Sequence, residues 1–148
     1  MIRNVAREIA VHLSYELSFS ELGVSELLDQ RLSEEGFAAL AEEDELYCSA
    51  PNEKQARYIR TLVAGVDEHA AELDSYIEKY AVGWNIARIS RISKCILRLS
   101  MYEVLYMQIP VGASVNEALE LVKQYDSEEA AGFVNGIMGA FVAKELQA

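Results

Sequence analysis

Residues 91–107 read RISKCILRLSMYEVLYM. Ile92, Cys95, Ile96, Leu97, Leu99, Met101, Tyr102, Val104, Leu105 and Tyr106 cover most sides of a helix drawn at about 100° per residue. A helix that is apolar nearly all round belongs in the centre of a fold. Its one polar stripe, Arg91, Lys94 and Arg98, lies at its start, and Pro110 and Gly112 end it. The stretch therefore predicts an all-α fold built around a buried central helix.

The flanking sequence supplies amphipathic partners for it. Downstream, SVNE (114–117) reads as a capping box, with Ser114 as N-cap and Val115, Ala118, Leu119 and Val122 on the apolar face behind it. DSEE (126–129) repeats the acidic start for a last helix with Val134, Ile137, Met138, Phe141 and Val142 on its core side. That helix also carries Gly132, Gly136, Gly139 and Ala143, a stripe of minimal side chains. Each helical glycine costs roughly 0.5–1 kcal/mol relative to alanine, so the stripe predicts the close approach of another helix. Asn135 flanks it and is expected to bond a neighbouring backbone.

Upstream, Ile59, Leu62, Val63, Val66, Ala70, Leu73, Ile77 and Tyr80 keep one stripe across residues 52–80, with Pro51 expected in the first turn and Gly65 marking either a bend, which would divide the run into two helices, or a close contact. Gly83 stops that run, and a short stretch, 82–90, follows. Ile2, Val5, Ala6, Ile9, Leu13 and Leu17 mark a first helix, with Arg3 and Arg7 together on another side. Two shorter helices fit residues 24–32 and 33–43. Strands are not indicated. The expected architecture is a single all-α domain over residues 1–148, a compact helical bundle of about six to eight helices with short connections.

Charge and composition narrow the function. The 148 residues are 51 % hydrophobic and carry a formal net charge of −11, which argues against a general nucleic-acid binder. The charge is uneven. Residues 20–53 hold ten acids and one base, Arg31, a variable-looking acidic segment. Residues 79–98 hold Lys79, Arg88, Arg91, Lys94 and Arg98 and no acid, a local anion-binding candidate in an acidic chain. No apolar run reaches the roughly 18–20 residues that span a bilayer, and no secretory signal core is evident, so a cytoplasmic protein is expected. Cys48 and Cys95 lack metal or redox spacing and read as reduced thiols.

No catalytic constellation emerges. His12 borders an apolar face and reads as a satisfied or half-exposed histidine. His69 and Glu72 are three apart on a helix, but lack the further ligands a metal needs, so no metal or cofactor is expected. Glu103, within the most apolar helix, calls for a partner such as Arg98 or an arginine of another helix.

Three blocks in fixed order, RISKCILRLSMYEVLY (91–106), IPVGASVNEALELVKQY (109–125) and SEEAAGFVNGIMG (127–139), resemble the transcription antitermination factor NusB family. YIRTLVAGV (58–66), LDSYIEKY (73–80) and the shorter AREIAV (6–11) extend the resemblance. It implies two helical subdomains, no enzymatic activity, and pairing with NusE, a basic small-subunit ribosomal protein. The pair would bind single-stranded boxA-type leader RNA and act with other Nus factors and RNA polymerase. Self-association into a homodimer also fits the family. Carried over residue by residue, Arg3 and Arg7 would meet phosphates, and Tyr15, Tyr80 and Phe133 would stack on bases. Arg91, Ser93 and Lys94 fall on the expected NusE surface. The arginine run of the family's first helix is reduced here to Arg3 and Arg7, and Gly132 stands where a basic residue is often seen.

Two other readings compete. One is a helical protein-interaction module that has lost most RNA contact. The other is the NusB-like N-terminal part of an rRNA cytosine methyltransferase, which would need a cofactor-binding α/β domain beyond residue 148.

Overall fold

A computed structural model describes residues 3–83, 87 and 89–146. Among them are eight α-helices, one 3-10 turn and no strand. Ile2, Arg88 and most of the central part of the 82–90 stretch lie outside the described residues. The chain divides into two compact units, Met1–Asp67 and Glu68–Ala148.

The first unit opens with α1 (Arg3–Leu17), which buries Ala6, Ile9, Ala10, Val11 and Leu13. Helix α2 (Val24–Arg31) buries Leu27 and Leu28, and α3 (Glu34–Ala41) buries Phe37. Both are short, and side chains tie them down. Ser33 caps α3 by accepting from the Gly36 amide, and Arg31 reaches back from α2 to grip Glu16 of α1 at 2.8–3.1 Å. Gly36 has a physical reason to be glycine, because a Cβ there would meet the Gln30 carbonyl oxygen at 1.9 Å. The 3-10 turn Glu45–Tyr47 sets the Tyr47 ring edge-on to Phe37, at 5.3 Å between centroids. His12 Nδ1 lies 2.8 Å from the Tyr47 hydroxyl.

Helix α4 (Glu53–Glu68) buries Ile59, Leu62, Val63 and Val66 along one stripe. Asn52 and Gln55 cap it reciprocally, each side chain accepting the other's amide at 2.9 Å. Pro51 therefore sits before the cap rather than in the first turn. The run divides into two helices, one of the expected outcomes, but the break falls after Glu68 rather than at Gly65. Gly65 is buried inside α4, and the helix ends at Glu68, with His69 as the cap of α5.

In the second unit α5 (Ala70–Tyr80), α7 (Val111–Tyr125) and α8 (Glu128–Glu145) pack around α6 (Arg91–Tyr106). Helix α6 buries nine residues from Ser93 to Glu103, as its all-round apolar pattern predicts. Helix α5 ends at Tyr80, and Gly83 follows with φ +82°.

Helix α7 corrects the capping-box reading. It starts at Val111 after Pro110, so Ser114 lies inside the helix and is fully buried. Its hydroxyl donates to Glu103 Oε1 at 3.1 Å and lies 2.8 Å from Ser100 Oγ. A hydroxyl has one proton, so Ser100 donates to Ser114 while Ser114 donates to Glu103. Arg98, the partner expected for Glu103, instead pairs with Asp74 through two bonds of 2.6 and 3.0 Å.

Helix α8 is capped by Ser127, which accepts from the Ala130 amide, and its core face is Val134, Ile137, Met138 and Phe141. Its glycine stripe behaves opposite to expectation. Gly132, Gly136, Gly139 and Ala143 are exposed, and a Cβ on any of the three glycines would meet nothing within 4 Å. Asn135 is likewise exposed.

Candidate nucleic-acid interface

The expected contact residues fall in both units. On α1, Arg3 is exposed in the first turn. Arg7 is only 3 % exposed, and its Nη1 donates to Asn4 Oδ1 at 3.3 Å. The Arg7 guanidinium, expected to meet a phosphate, is thus enclosed by the fold. The two arginines stand four positions apart on α1, yet Arg3 is exposed and Arg7 buried.

Tyr15 is exposed near the end of α1, its ring edge-on to Phe19 at 5.0 Å. Phe19 is 60 % exposed, a second aromatic surface that sequence reasoning passed over. The signal was available, since Phe19 follows the last helical apolar position, Leu17, and precedes a polar turn.

In the second unit Tyr80 is half-buried at the end of α5. Its hydroxyl donates to Glu145 on the last turn of α8, and Lys79 Nζ donates to the same carboxylate at 3.2 Å. The ammonium also stands 5.3 Å from the Tyr80 ring centroid, and Phe141 meets that ring edge-on at 6.4 Å. Bonds from Tyr80 and then Lys79 hold the Glu145 carboxyl below its ordinary range. Partial burial and the Glu145 bond push the Tyr80 phenol up.

Phe133 lines a cleft of about 500 Å³ formed by the starts of α6 and α8 and the chain before α6. Leu97, Val134 and Ile137 supply its apolar floor, and Asp126 and Glu129 lie on its wall. Ser93 lines it too but is 1 % exposed, contrary to its expected place on a partner surface. The reason is a hydrogen bond. Ser93 Oγ and Ser90 Oγ both donate to Asp126 Oδ2, at 2.7 and 2.6 Å. The Ser90 bond, seconded by Ser93, holds the Asp126 carboxyl below its ordinary range. Ser93 thus ties the start of α6 to the α7–α8 connection, while Arg91 is exposed and Lys94 half-exposed beside it.

Two of the bases in the stretch 79–98 are ion-paired within the fold. Lys79 is paired with Glu145 and Arg98 with Asp74, while Lys94 lines a smaller hollow with Asp74, Ile77, Glu78 and Arg98. Among the described residues no group of three His, Cys, Asp or Glu side chains is placed to hold a metal, and no helix is long and apolar enough to cross a membrane. His69 packs on the rings of Tyr102 and Tyr106, and Glu72 accepts from the Tyr106 and Tyr76 hydroxyls.

Comparison with known proteins follows the same lines. The model of the NusB family matches residues 4–143. The transcription antitermination protein NusB of Thermoanaerobacter sp. (strain X514) is 38 % identical over 98 % of this chain and 93 % of its own. The Bacillus subtilis (strain 168) protein of that name is 35 % identical over 93 % of this chain and 92 % of its own. Among solved structures, antitermination factors NusB and NusE in complex with double-stranded RNA include a chain that superposes with TM-score 0.73 at 27 % identity, covering 95 % of this chain and 96 % of that one.

Proposed function

The chain belongs to the NusB family, and from that membership we propose that it is a non-enzymatic transcription antitermination adaptor that pairs with a NusE-type ribosomal protein and binds boxA-type leader RNA. In this reading the pair works in the cytoplasm with other Nus factors and RNA polymerase. The observation that carries it is the likeness, over 95 % of the chain, to a NusB solved with NusE and RNA.

On this chain the reading assigns phosphate contact to Arg3 and base stacking to Tyr15, Tyr80 and Phe133. Aromatic faces suit unpaired bases, whose stacking is worth about 1–3 kcal/mol each. Arg91 and Lys94 remain the candidates for the protein partner, and an acidic chain suits a basic one. Ser93 serves that surface from beneath, by fixing the first turn of α6.

A second reading, a protein-only helical module, draws on the buried Arg7 and on the internal pairing of Lys79 and Arg98. A titration of boxA-type RNA separates the two, with and without the NusE-type partner, at two salt concentrations. Single-stranded and duplex forms are compared. Tight, salt-sensitive binding in the presence of the partner is expected. A stable heterodimer that binds neither form of RNA overturns the adaptor reading and leaves the protein-only module.

A further inference from the structure

We propose that Lys79 and Tyr80 form one nucleotide subsite, a phosphate contact beside a stacking face, and that Glu145 holds it closed until RNA displaces the carboxylate. The inference rests on the RNA reading above and specifies how one part of that surface works.

The geometry lies within one unit. Glu145, on the last turn of α8, accepts from both Lys79 Nζ and the Tyr80 hydroxyl. The same contact keeps the Lys79 ammonium 5.3 Å from the centre of the Tyr80 ring. One carboxylate therefore engages the cation that a phosphate would need and parks it over the ring that a base would need. Phe141 buttresses the ring edge-on, so the ring stays in place when the ammonium leaves.

The latch is easily opened. The Lys79 side chain is 61 % exposed and that of Glu145 20 % exposed, and ion pairs of this kind are weak in water. An RNA phosphate presents the same charge and acceptor geometry as the carboxylate, with further contacts along the strand to favour it. Moving Lys79 to a phosphate uncovers the ring for a base. Glu145 in this way sets a threshold. Isolated anions gain little by displacing it, whereas a strand gains a phosphate contact and a stacked base together.

The test uses the full chain with its NusE-type partner and the boxA-type RNA. Glu145→Gln keeps an acceptor for the Tyr80 hydroxyl and removes the charge. It is expected to bind RNA about three- to tenfold more tightly at low salt, with the log K against log salt slope little changed, because Lys79 meets one phosphate in both complexes. Lys79→Ala alone is expected to weaken binding, and in that background Glu145→Gln should give no gain. An RNA affinity that Glu145→Gln leaves unchanged overturns the latch. A gain that survives Lys79→Ala also overturns it, by making Glu145 a general repulsive charge. If the wild-type pair binds no RNA, the adaptor reading fails first and this inference falls with it.

Discussion

Single residues decide more here than their chemistry suggests. His12 sits between Glu8, Asp44 and the Tyr47 hydroxyl, yet burial is the largest influence and pushes its pKa below the ordinary 6.5. The folded state thus prefers the neutral imidazole. As pH falls below 6.5, the unfolded chain takes up the proton first, and the stability His12 contributes is lost down through its folded value. Urea melts at pH 7.5 and 5.5 should show a smaller pH effect for His12→Gln than for wild type; equal effects would remove His12 from the linkage. Gly136 makes the opposite point about position. Nothing stands within 4 Å of its absent Cβ, so Gly136→Ala should stabilise the fold by about 0.5–1 kcal/mol, read as a rise in the urea midpoint. Destabilisation would mean that a neighbour does approach α8 there. The sequence held this answer, since Gly139 lies two residues, or about 200°, from Ile137 on the core face. The small side chains mark an azimuth that faces solvent rather than a neighbouring helix.

The elements were legible where the information is local. Apolar stripes on α1, α4 and α6 follow directly from side-chain spacing, and Ala6, Ile9, Leu13, Ile59, Leu62, Ile96 and Leu97 on them are buried, whereas Tyr106 at the end of α6 is exposed. Helix starts were legible where a side chain bonds its own backbone, as at Ser127. Ser114 fits the same local pattern, but its hydroxyl is claimed by Glu103 and Ser100 of another helix, a contact no local pattern encodes. Gly36 carries the complementary lesson. By propensity, alanine should favour α3 by about 1 kcal/mol. The clash with the Gln30 carbonyl is against backbone, which cannot swing away as a side chain can. Gly36→Ala is therefore expected to destabilise the first unit by about 1–3 kcal/mol, as overpacked sites do. A neutral or stabilising result in equilibrium unfolding would show that the α2–α3 turn can widen.

At the scale of the molecule, the chain combines a strongly acidic composition with an RNA-binding role proposed from its family. Among the described residues the fold pairs Arg31, Arg60, Lys79 and Arg98 with its own carboxylates, which leaves these four less available for that role. Charge counting along the sequence could not reveal this, since the acids that pair with Lys79 and Arg98 lie 66 and 24 residues away. The two arginines of α1 should consequently part company. Arg3→Ala is expected to lower the salt slope of RNA binding by about 0.7–0.9 and leave the urea midpoint unchanged. Arg7→Ala is expected to lower the midpoint and leave the slope alone. The reverse pattern would restore Arg7 as the phosphate contact.

The open outer face of α8 also makes this helix a convenient place to attach reporters. Gly132, Gly136 and Gly139 stand about 6 and 4.5 Å apart along the axis, at about 1.5 Å per residue, and each can accept a side chain outward. Cys95 is buried and Cys48 exposed, so replacing Cys48 leaves a chain in which one introduced thiol is the accessible one. A spin label or fluorophore walked along these three positions would then measure how near a bound strand passes to the end of α8, without disturbing the core beneath.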